Sequence, residues 1–471
     1  MGQKTTRRLL ASLSTALMIM GTALAATGAS ARQPGAEAEC TDPAWSAATV
    51  YNGGERVSHS AATWQARWWT QGDEPGTGGE WGVWERVGTC GDDGGGDPPD
   101  PIDPGPYYNI GYFTEWGVYD RNYHAKNIVT SGSAEKLTHI VYAFGNVQGG
   151  RCAMGDRFAA MERTYQPGES VDGEGDRWND PLRGNFNQLL KLKAMYPHLK
   201  ILYSFGGWTW SGGFGQAAQN PQAFADSCYD LVNDPRWEGL FDGIDIDWEY
   251  PNACGLTCDD SGPDAFADLM NALRGRFGGD LVTAAVTADA TPGGKIDATD
   301  YAAAAEPSDF FMVMTYDFFG GWNDDVAPHS PKQGYDGIPI PEFHTTAALE
   351  KYISLGIPPD KLLMGIGFYG RGWYATEAGA GKGNGPAPGR YEQGIEDYKL
   401  IKDRCPATGE IGGSAYGQCG NQWWGYDTPA TVASKMDYLK GLGLKGAFFW
   451  ELSGDTADGE LITAIHDNMQ T

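Results

Sequence analysis

Asp242-Gly243-Ile244-Asp245-Ile246-Asp247-Trp248-Glu249-Tyr250 is the stretch on which the reading of the fold turns. Taken as a β-strand, it alternates with period two. Asp245, Asp247 and Glu249 point to one side, and Ile244, Ile246 and Trp248 to the other. The apolar set suits packing against outer helices. The acidic set must then face a barrel interior, toward its C-terminal mouth. Same-side neighbours lie about 6.6 Å apart along the strand. Like charges at that range, together with burial, raise at least one carboxyl pKa. A carboxyl kept protonated near neutral pH is what a general acid requires. Glu249, last on the strand, is the natural proton donor. Asp247 is the neighbour that shares a proton and reorients, and Asp245 sits deeper and tunes Asp247. Asp242 falls on the opposite side by parity and reads as structural. A cation site is the weaker alternative, because the spacing is wide for one ion and no EF-hand-like turn is present. A solvated acidic strand is disfavoured by Ile244, Ile246 and Trp248.

Working outward, apolar runs recur at Tyr108–Phe113, His139–Phe144, Lys200–Phe205, Gly243–Glu249, Leu281–Val286, Phe310–Tyr316, Leu362–Phe368 and Lys445–Trp450. Helical stretches lie between several of them, at Phe186–Met195, Asp264–Phe277, Thr345–Leu355 and Pro429–Leu442. Eight such units make the (β/α)₈ TIM barrel pattern, an α/β fold. An open doubly wound sheet is the alternative, and the count of eight argues against it. The gap between strands seven and eight is too long for a structureless loop. Residues 373–425, rich in Gly, Tyr and Trp, are therefore expected to form a small folded insertion.

The chain has 471 residues, with 34 basic and 61 acidic side chains and a formal charge of −27. That sign repels phosphate backbones and excludes nucleic acid as a partner. Lys4, Arg7 and Arg8, the apolar run Leu9 to Ala26 and Ala29-Ser30-Ala31 read as an export signal over residues 1–31. The protein is thus expected to be secreted and extracellular, without a membrane anchor in its mature form. The eight Cys of an exported chain default to disulfides. Sequence cannot fix their connectivity. Local logic suggests Cys40–Cys90, Cys254–Cys258 and Cys405–Cys419, which leaves Cys152–Cys228. Zinc at Cys254 and Cys258 is disfavoured, since no second such pair or His cluster accompanies them, and no metal is expected. Residues 91–106, GDDGGGDPPDPIDPGP, form a linker that splits the mature chain in two.

The small piece, residues 40–90, alternates like short strands at Val50-Tyr51, Arg56-Val57 and Thr63 to Trp68, broken by Gly-rich turns. It is expected to be all-β. It holds Trp45, Trp64, Trp68, Trp69, Trp81 and Trp84, more indole than so small a core needs. Strand neighbours such as Trp68 and Trp69 should face opposite sides, so at least one is expected outward as a platform for a sugar ring. Ala66-Arg67-Trp68-Trp69-Thr70-Gln71-Gly72-Asp73-Glu74-Pro75, followed by Trp81, resembles the chitin-binding type 3 module of bacterial chitinases. The resemblance implies that Trp68 or Trp69 contacts crystalline chitin, with Trp45 a further candidate.

The acidic stretch, with Ser204-Phe205-Gly206-Gly207 and Met314-Thr315-Tyr316-Asp317, resembles the family 18 glycoside hydrolases. Tyr369-Gly370-Arg371-Gly372 and Phe113-Thr114-Glu115-Trp116-Gly117-Val118-Tyr119 are similar to the bacterial chitinases of that family. In their subgroup the insertion between strands seven and eight is a small α+β domain. The resemblance covers roughly residues 107–467 and implies a catalytic domain over 107–471. It implies hydrolysis of β-1,4 bonds between N-acetylglucosamine units of chitin and chito-oligosaccharides, by a substrate-assisted retaining mechanism without a cofactor. The substrate's own acetamido oxygen attacks the anomeric carbon, and water later opens the oxazolinium ion. Glu249 would protonate the leaving oxygen and then activate the water. Asp247 would hold the acetamido N–H, and Tyr316 would orient the acetamido oxygen. The family match also implies Trp450 as the floor beside the cleaved bond. Trp208 and Trp322 belong to the leaving side and Trp116 to the non-reducing side, with Tyr112, Phe144, Met314, Asp317 and Arg371 completing the pocket. Two alternatives stay open: an endo-β-N-acetylglucosaminidase acting on N-glycans, and a non-catalytic chitin-binding lectin on the same barrel. The chain is expected to act as a monomer. Endo or exo preference, direction and processivity are not readable.

Overall fold

The computed structural model describes residues 42–60, 62–76, 82–89 and 105–470. The expected signal peptide, residues 91–104 of the linker, Trp81, Cys40 and Cys90 lie outside the described residues. The chain divides into two units, Met1–Asp100 and Pro101–Thr471.

In the first unit a three-stranded antiparallel sheet joins Arg56–His59, Ala62–Ala66 and Trp84–Thr89. A second pair joins Val50–Tyr51 to Thr70–Gln71. Tyr51, Val57, Ala66 and Trp84 form the core, with Trp45 and Trp64 partly buried against it. The indole N–H of Trp84 donates to the Asp73 carbonyl at 2.7 Å, and that of Trp64 to the His59 carbonyl at 3.0 Å. One expectation needs correction. The strand read as Thr63 to Trp68 ends at Ala66, so alternation does not separate Trp68 from Trp69. Both lie in the following bend, where Arg67 N–H bonds the Val83 carbonyl, and both are open to solvent, at 50% and 60%.

The second unit is an eight-stranded parallel barrel. Its strands are β1 (Tyr108–Thr114), β2 (His139–Gln148), β3 (Lys200–Gly206), β4 (Gly243–Asp247), β5 (Leu281–Val286), β6 (Phe310–Val313), β7 (Leu362–Gly367) and β8 (Gly446–Trp450). Each pairs with its neighbours in sequence, and β8 and β2 both pair with β1, which closes the cylinder. Helices α1 (Ala125–Thr130), α2 (Gly184–Met195), α3 (Pro221–Val232), α4 (Ala265–Phe277), α5 (Tyr301–Ala305), α6 (Thr345–Ser354), α7 (Pro429–Leu442) and α8 (Glu460–Gln470) occupy the connections and the C-terminus. Two large apolar clusters result. One fills the barrel with Ile110, Tyr112, Val141, Leu202, Met312 and Phe448. The other lies between sheet and helices and contains Ile244, Ile246 and Trp248. The alternation of β4 is thus realised, with its apolar side outward and its acidic side in.

Two expected strands stop early, and both do so at the mouth. The β4 ladder ends at Asp247, because the Glu249 N–H turns to the Ser211 hydroxyl at 2.8 Å instead of a neighbouring strand. The β6 ladder ends at Val313, where the Thr315 hydroxyl takes over by donating to the Gly365 carbonyl at 2.7 Å. Glu249 and Tyr316 therefore stand on turns just above the barrel. Asp242 faces away from the interior as expected, paired with Lys193 at 2.6 Å and Lys200 at 3.2 Å.

Between β7 and β8 lies a five-stranded antiparallel sheet running from Tyr369–Tyr374 to Gln422–Tyr426, with a helix over Tyr398–Arg404. Cys405–Cys419 closes it on one side. Cys152–Cys228 ties the hairpin after β2 to α3, and Cys254–Cys258 closes a loop after β4. Among the described residues, no helix is long and apolar enough to cross a membrane.

A fully buried ion pair anchors α7 beneath the mouth. Lys435 Nζ donates to Asp427 at 2.6 Å and to the Ser330 carbonyl at 2.7 Å. The Ser330 hydroxyl in turn donates to the Thr315 carbonyl at 2.7 Å. Removing one partner of such a pair leaves the other charge buried alone. Lys435→Ala is expected to cost about 3–5 kcal/mol, measured by denaturant unfolding.

Candidate active site

The site begins with register. Asp245 lies level with Ser204 on β3 and Thr283 on β5. Residues level on adjacent parallel strands share a face, so both hydroxyls reach its carboxylate. Ser204 donates at 2.7 Å, Thr283 at 2.8 Å, and Tyr112 from β1 at 3.0 Å. Burial raises the Asp245 pKa, and these three donors oppose the rise.

One step higher, Asp247 lies level with Gly206 and Ala285. These small residues supply no donor. A Cβ on Gly206, whose φ is +112°, would meet the Asp247 carbonyl at 2.2 Å, so only glycine fits this close approach. Asp247 Oδ1 is buried and accepts no hydrogen bond among the described residues. Burial, then the charges of Glu249 and Asp245, push its pKa well above the usual carboxylate range. An unsatisfied buried oxygen is costly.

Glu249 follows on the turn, half-buried, before a cis Glu249–Tyr250 peptide bond. Burial raises its pKa to about 7. A hydrogen bond with the Tyr250 side chain and the charge of Lys295 lower it, and Asp317 adds to the rise. The Lys295 ammonium sits 4.9 Å from the Tyr250 ring.

Tyr316 faces the row from β6's turn. Its ring lies 5.9 Å from Phe448 and 6.3 Å from Tyr369. A Cβ at Gly365 would come within 2.9 Å of it, so that glycine makes its room. Burial, then the charges of Asp247, Asp317 and Glu249, push the Tyr316 pKa well above 10, which keeps the phenol protonated. Asp317, at φ +59°, turns the other way into a bidentate pair with Arg371, at 2.8 and 2.7 Å. Tyr369 also donates to it at 2.7 Å. Although desolvation opposes it, the half-buried Asp317 carboxylate is held far below the usual range by Arg371 and His329.

Aromatic side chains line the rim. Trp450 stacks on Phe144 with centroids 5.5 Å apart, and also meets Tyr112 at 5.4 Å and Trp116 at 6.2 Å. Met314 is half-buried against the interior cluster. Trp116, Trp208 and Trp322 are exposed, and Arg371 lies 4.8 Å from the Trp322 ring. A cleft of about 440 Å³ is lined by Trp116, Trp450, Asp317, Arg371, Tyr391 and Asp397. The structure thus gathers Glu249, Asp247, Asp245, Tyr316, Tyr112, Phe144, Met314, Asp317, Arg371 and Trp450 at one end of the barrel. Trp45 of the first unit is partly buried against that unit's core rather than presented to solvent like Trp68 and Trp69.

Sequence reading missed Tyr250, Tyr369 and His329. Tyr250 falls on the apolar side of an ideal strand, and only the turn brings it to Glu249. Tyr369 was legible, since it shares a strand face with Arg371, two residues on. His329 carries no pattern. It accepts from the Asp317 N–H at 3.4 Å through Nδ1 and hydrogen-bonds the Tyr369 carbonyl at 3.1 Å through Nε2.

Comparison with known proteins gives two family matches. Glycosyl hydrolases family 18 matches residues 109–455, and carbohydrate-binding module family 5/12 matches residues 44–85. Chitinase 63 of Streptomyces plicatus is 60% identical over 82% of this chain, and Chitinase C of Streptomyces lividans is 62% identical over 78%. The aligned regions span 64% and 60% of those relatives' own lengths. The catalytic domain of psychrophilic chitinase B from Arthrobacter TAD20 is a similar solved structure. Its TM-score is 0.72 and its identity 35%, over 79% of this chain and 97% of that one.

Proposed function

The chain belongs to glycosyl hydrolases family 18, and from that premise we propose that it is a secreted chitinase. Its substrates are chitin and chito-oligosaccharides, and its reaction is retaining hydrolysis assisted by the substrate's acetamido group. The observation that carries this reading is the row itself. Asp245, Asp247 and Glu249 follow one another up the end of β4, with a buried, unpartnered oxygen on Asp247 and Tyr316 at the end of β6.

The chemistry divides among these residues. A sugar seated on Trp450 places its acetamido N–H at Asp247 Oδ1, which satisfies that atom. Tyr316 donates to the acetamido oxygen and aims it at the anomeric carbon. Glu249 protonates the departing glycosidic oxygen, the acetamido oxygen closes the oxazolinium ring, and Asp247, its shared proton passing to Asp245, faces the positive charge as an anion. Glu249, now ionised, takes a proton from water as the water opens the ring with net retention. Asp245, fixed by three donors close beneath Asp247, is the partner with which Asp247 shares a proton. Trp208 and Trp322 stack on leaving-side sugars and Trp116 on the non-reducing side. Incubation with N-acetylglucosamine hexamer tests the proposal by chromatography. Shorter oligomers with initial β-anomeric products support it, and an intact hexamer rejects it. Release from a high-mannose glycoprotein at a higher rate would favour the endo-β-N-acetylglucosaminidase alternative.

Trp68 and Trp69, side by side and open to solvent, support chitin binding by the first unit. Tethering raises local concentration at a solid and does little for soluble oligomers. Deleting residues 32–106 should therefore lower activity on crystalline chitin while leaving hexamer turnover near normal. Equal losses on both would contradict tethering.

A further inference from the structure

Three described disulfides close loops of very different length, with sequence separations of 76, 14 and 4. The constraint on an unfolded chain grows with loop length, so Cys254–Cys258 stabilises the fold least. It nevertheless closes a loop that packs on the backbone of the acid. Within its ring Gly255 N–H donates to the Thr257 carbonyl at 3.0 Å. A Cβ added to Gly255 would lie 2.3 Å from the Glu249 carbonyl and 3.4 Å from the Trp208 indole. Thr257 packs in turn on Gly212, four residues beyond Trp208. The ring also walls a cavity of about 610 Å³ shared with Ser211, Glu249 and Tyr250. Trp208 is half exposed, and this ring borders its indole on one side.

We propose that the Cys254–Cys258 ring is a positioning element for the leaving-group half of the site, holding the Trp208 indole at the orientation that receives a sugar. It acts through Trp208 and does not touch the reacting atoms. The inference rests on the reading of Trp208 as a leaving-side platform.

The test compares two substrates in the full-length chain. N-acetylglucosamine hexamer places sugars on the leaving side, whereas the β-fluoride of the N-acetylglucosamine disaccharide has a single atom there. Cys254→Ser/Cys258→Ser should lower kcat/KM on the hexamer about tenfold, chiefly through KM, and change fluoride turnover less than twofold. Trp208→Ala should lose about tenfold on the hexamer, and adding the Ser pair to it should cost nothing more. Loss in Trp208→Ala with unchanged hexamer kinetics in the Ser pair would overturn the inference and leave the platform reading standing. No loss in Trp208→Ala would overturn the platform reading itself. Equal losses of the Ser pair on both substrates would also overturn the inference. Thermal unfolding checks that the Ser pair folds. Should it not, Thr257→Ala keeps the disulfide and removes the contact with Gly212. It should lose about threefold on the hexamer alone, and wild-type kinetics there would overturn the inference.

Discussion

Glu249→Gln is expected to slow hydrolysis of N-acetylglucosamine oligomers by about 10²–10⁴-fold, the range that a positioned acid supplies. Gln keeps the shape and the hydrogen bond with Tyr250 but has no proton to give. The loss should depend on the leaving group. A dinitrophenyl glycoside departs without protonation, so its first step should fall far less than that of an oligomer. Binding of oligomers should survive, because the rim aromatics are untouched. The pH dependence has a fixed sign. Burial holds Glu249 at about 7, so the acid is charged with its proton below that value and spent above it. Oligomer turnover should therefore decline as pH rises through 7. Stability should follow in the same direction. A carboxyl whose folded pKa is raised binds more protons folded than unfolded between its two pKa values, so it destabilises the fold increasingly as pH rises through that window. Glu249→Gln should be more stable than wild type at pH 8, with the advantage gone below pH 4. Thermal unfolding at the two pH values measures this.

Asp247→Asn is expected to cost about 10²–10³-fold in kcat, the scale of one preorganised electrostatic group. The carboxylate has two tasks. It fixes the acetamido N–H and faces the positive charge of the oxazolinium. Asn can accept one hydrogen bond but supplies no charge, and its NH₂ is left without an acceptor in a buried position. The loss should appear on every substrate with an acetamido group, activated leaving groups included. That pattern separates Asp247 from Glu249, whose loss shrinks with activation. A dinitrophenyl glycoside hydrolysed at the wild-type rate by Asp247→Asn would remove Asp247 from the ring-closing step.

The barrel was legible because a single strand carried two opposite requirements. Ile244 and Ile246 need apolar neighbours, and Asp245 and Asp247 need polar ones, so the sheet had to be covered outside and enclosed within. The same alternation overran at the mouth. It carried β4 on to Glu249 and β6 on to Tyr316, where side-chain hydroxyls of Ser211 and Thr315 end the ladders. Period-two reasoning holds only while backbone pairing lasts, and catalytic side chains sit where it stops. It failed for the same reason at Trp68 and Trp69, which follow a strand instead of lying in one. Tyr250 and His329 were invisible, since a turn and a long loop bring them in from positions with no periodic signature. The Asp317–Arg371 pair joins residues far apart in sequence, and only the family resemblance suggested both.

Infrared difference spectroscopy of wild type against Glu249→Gln reads the protonation of Glu249 near neutral pH. A carboxyl C=O band absent from the variant is expected, titrating with a midpoint near 7. A midpoint in the ordinary glutamate range, about 4.3, would contradict it.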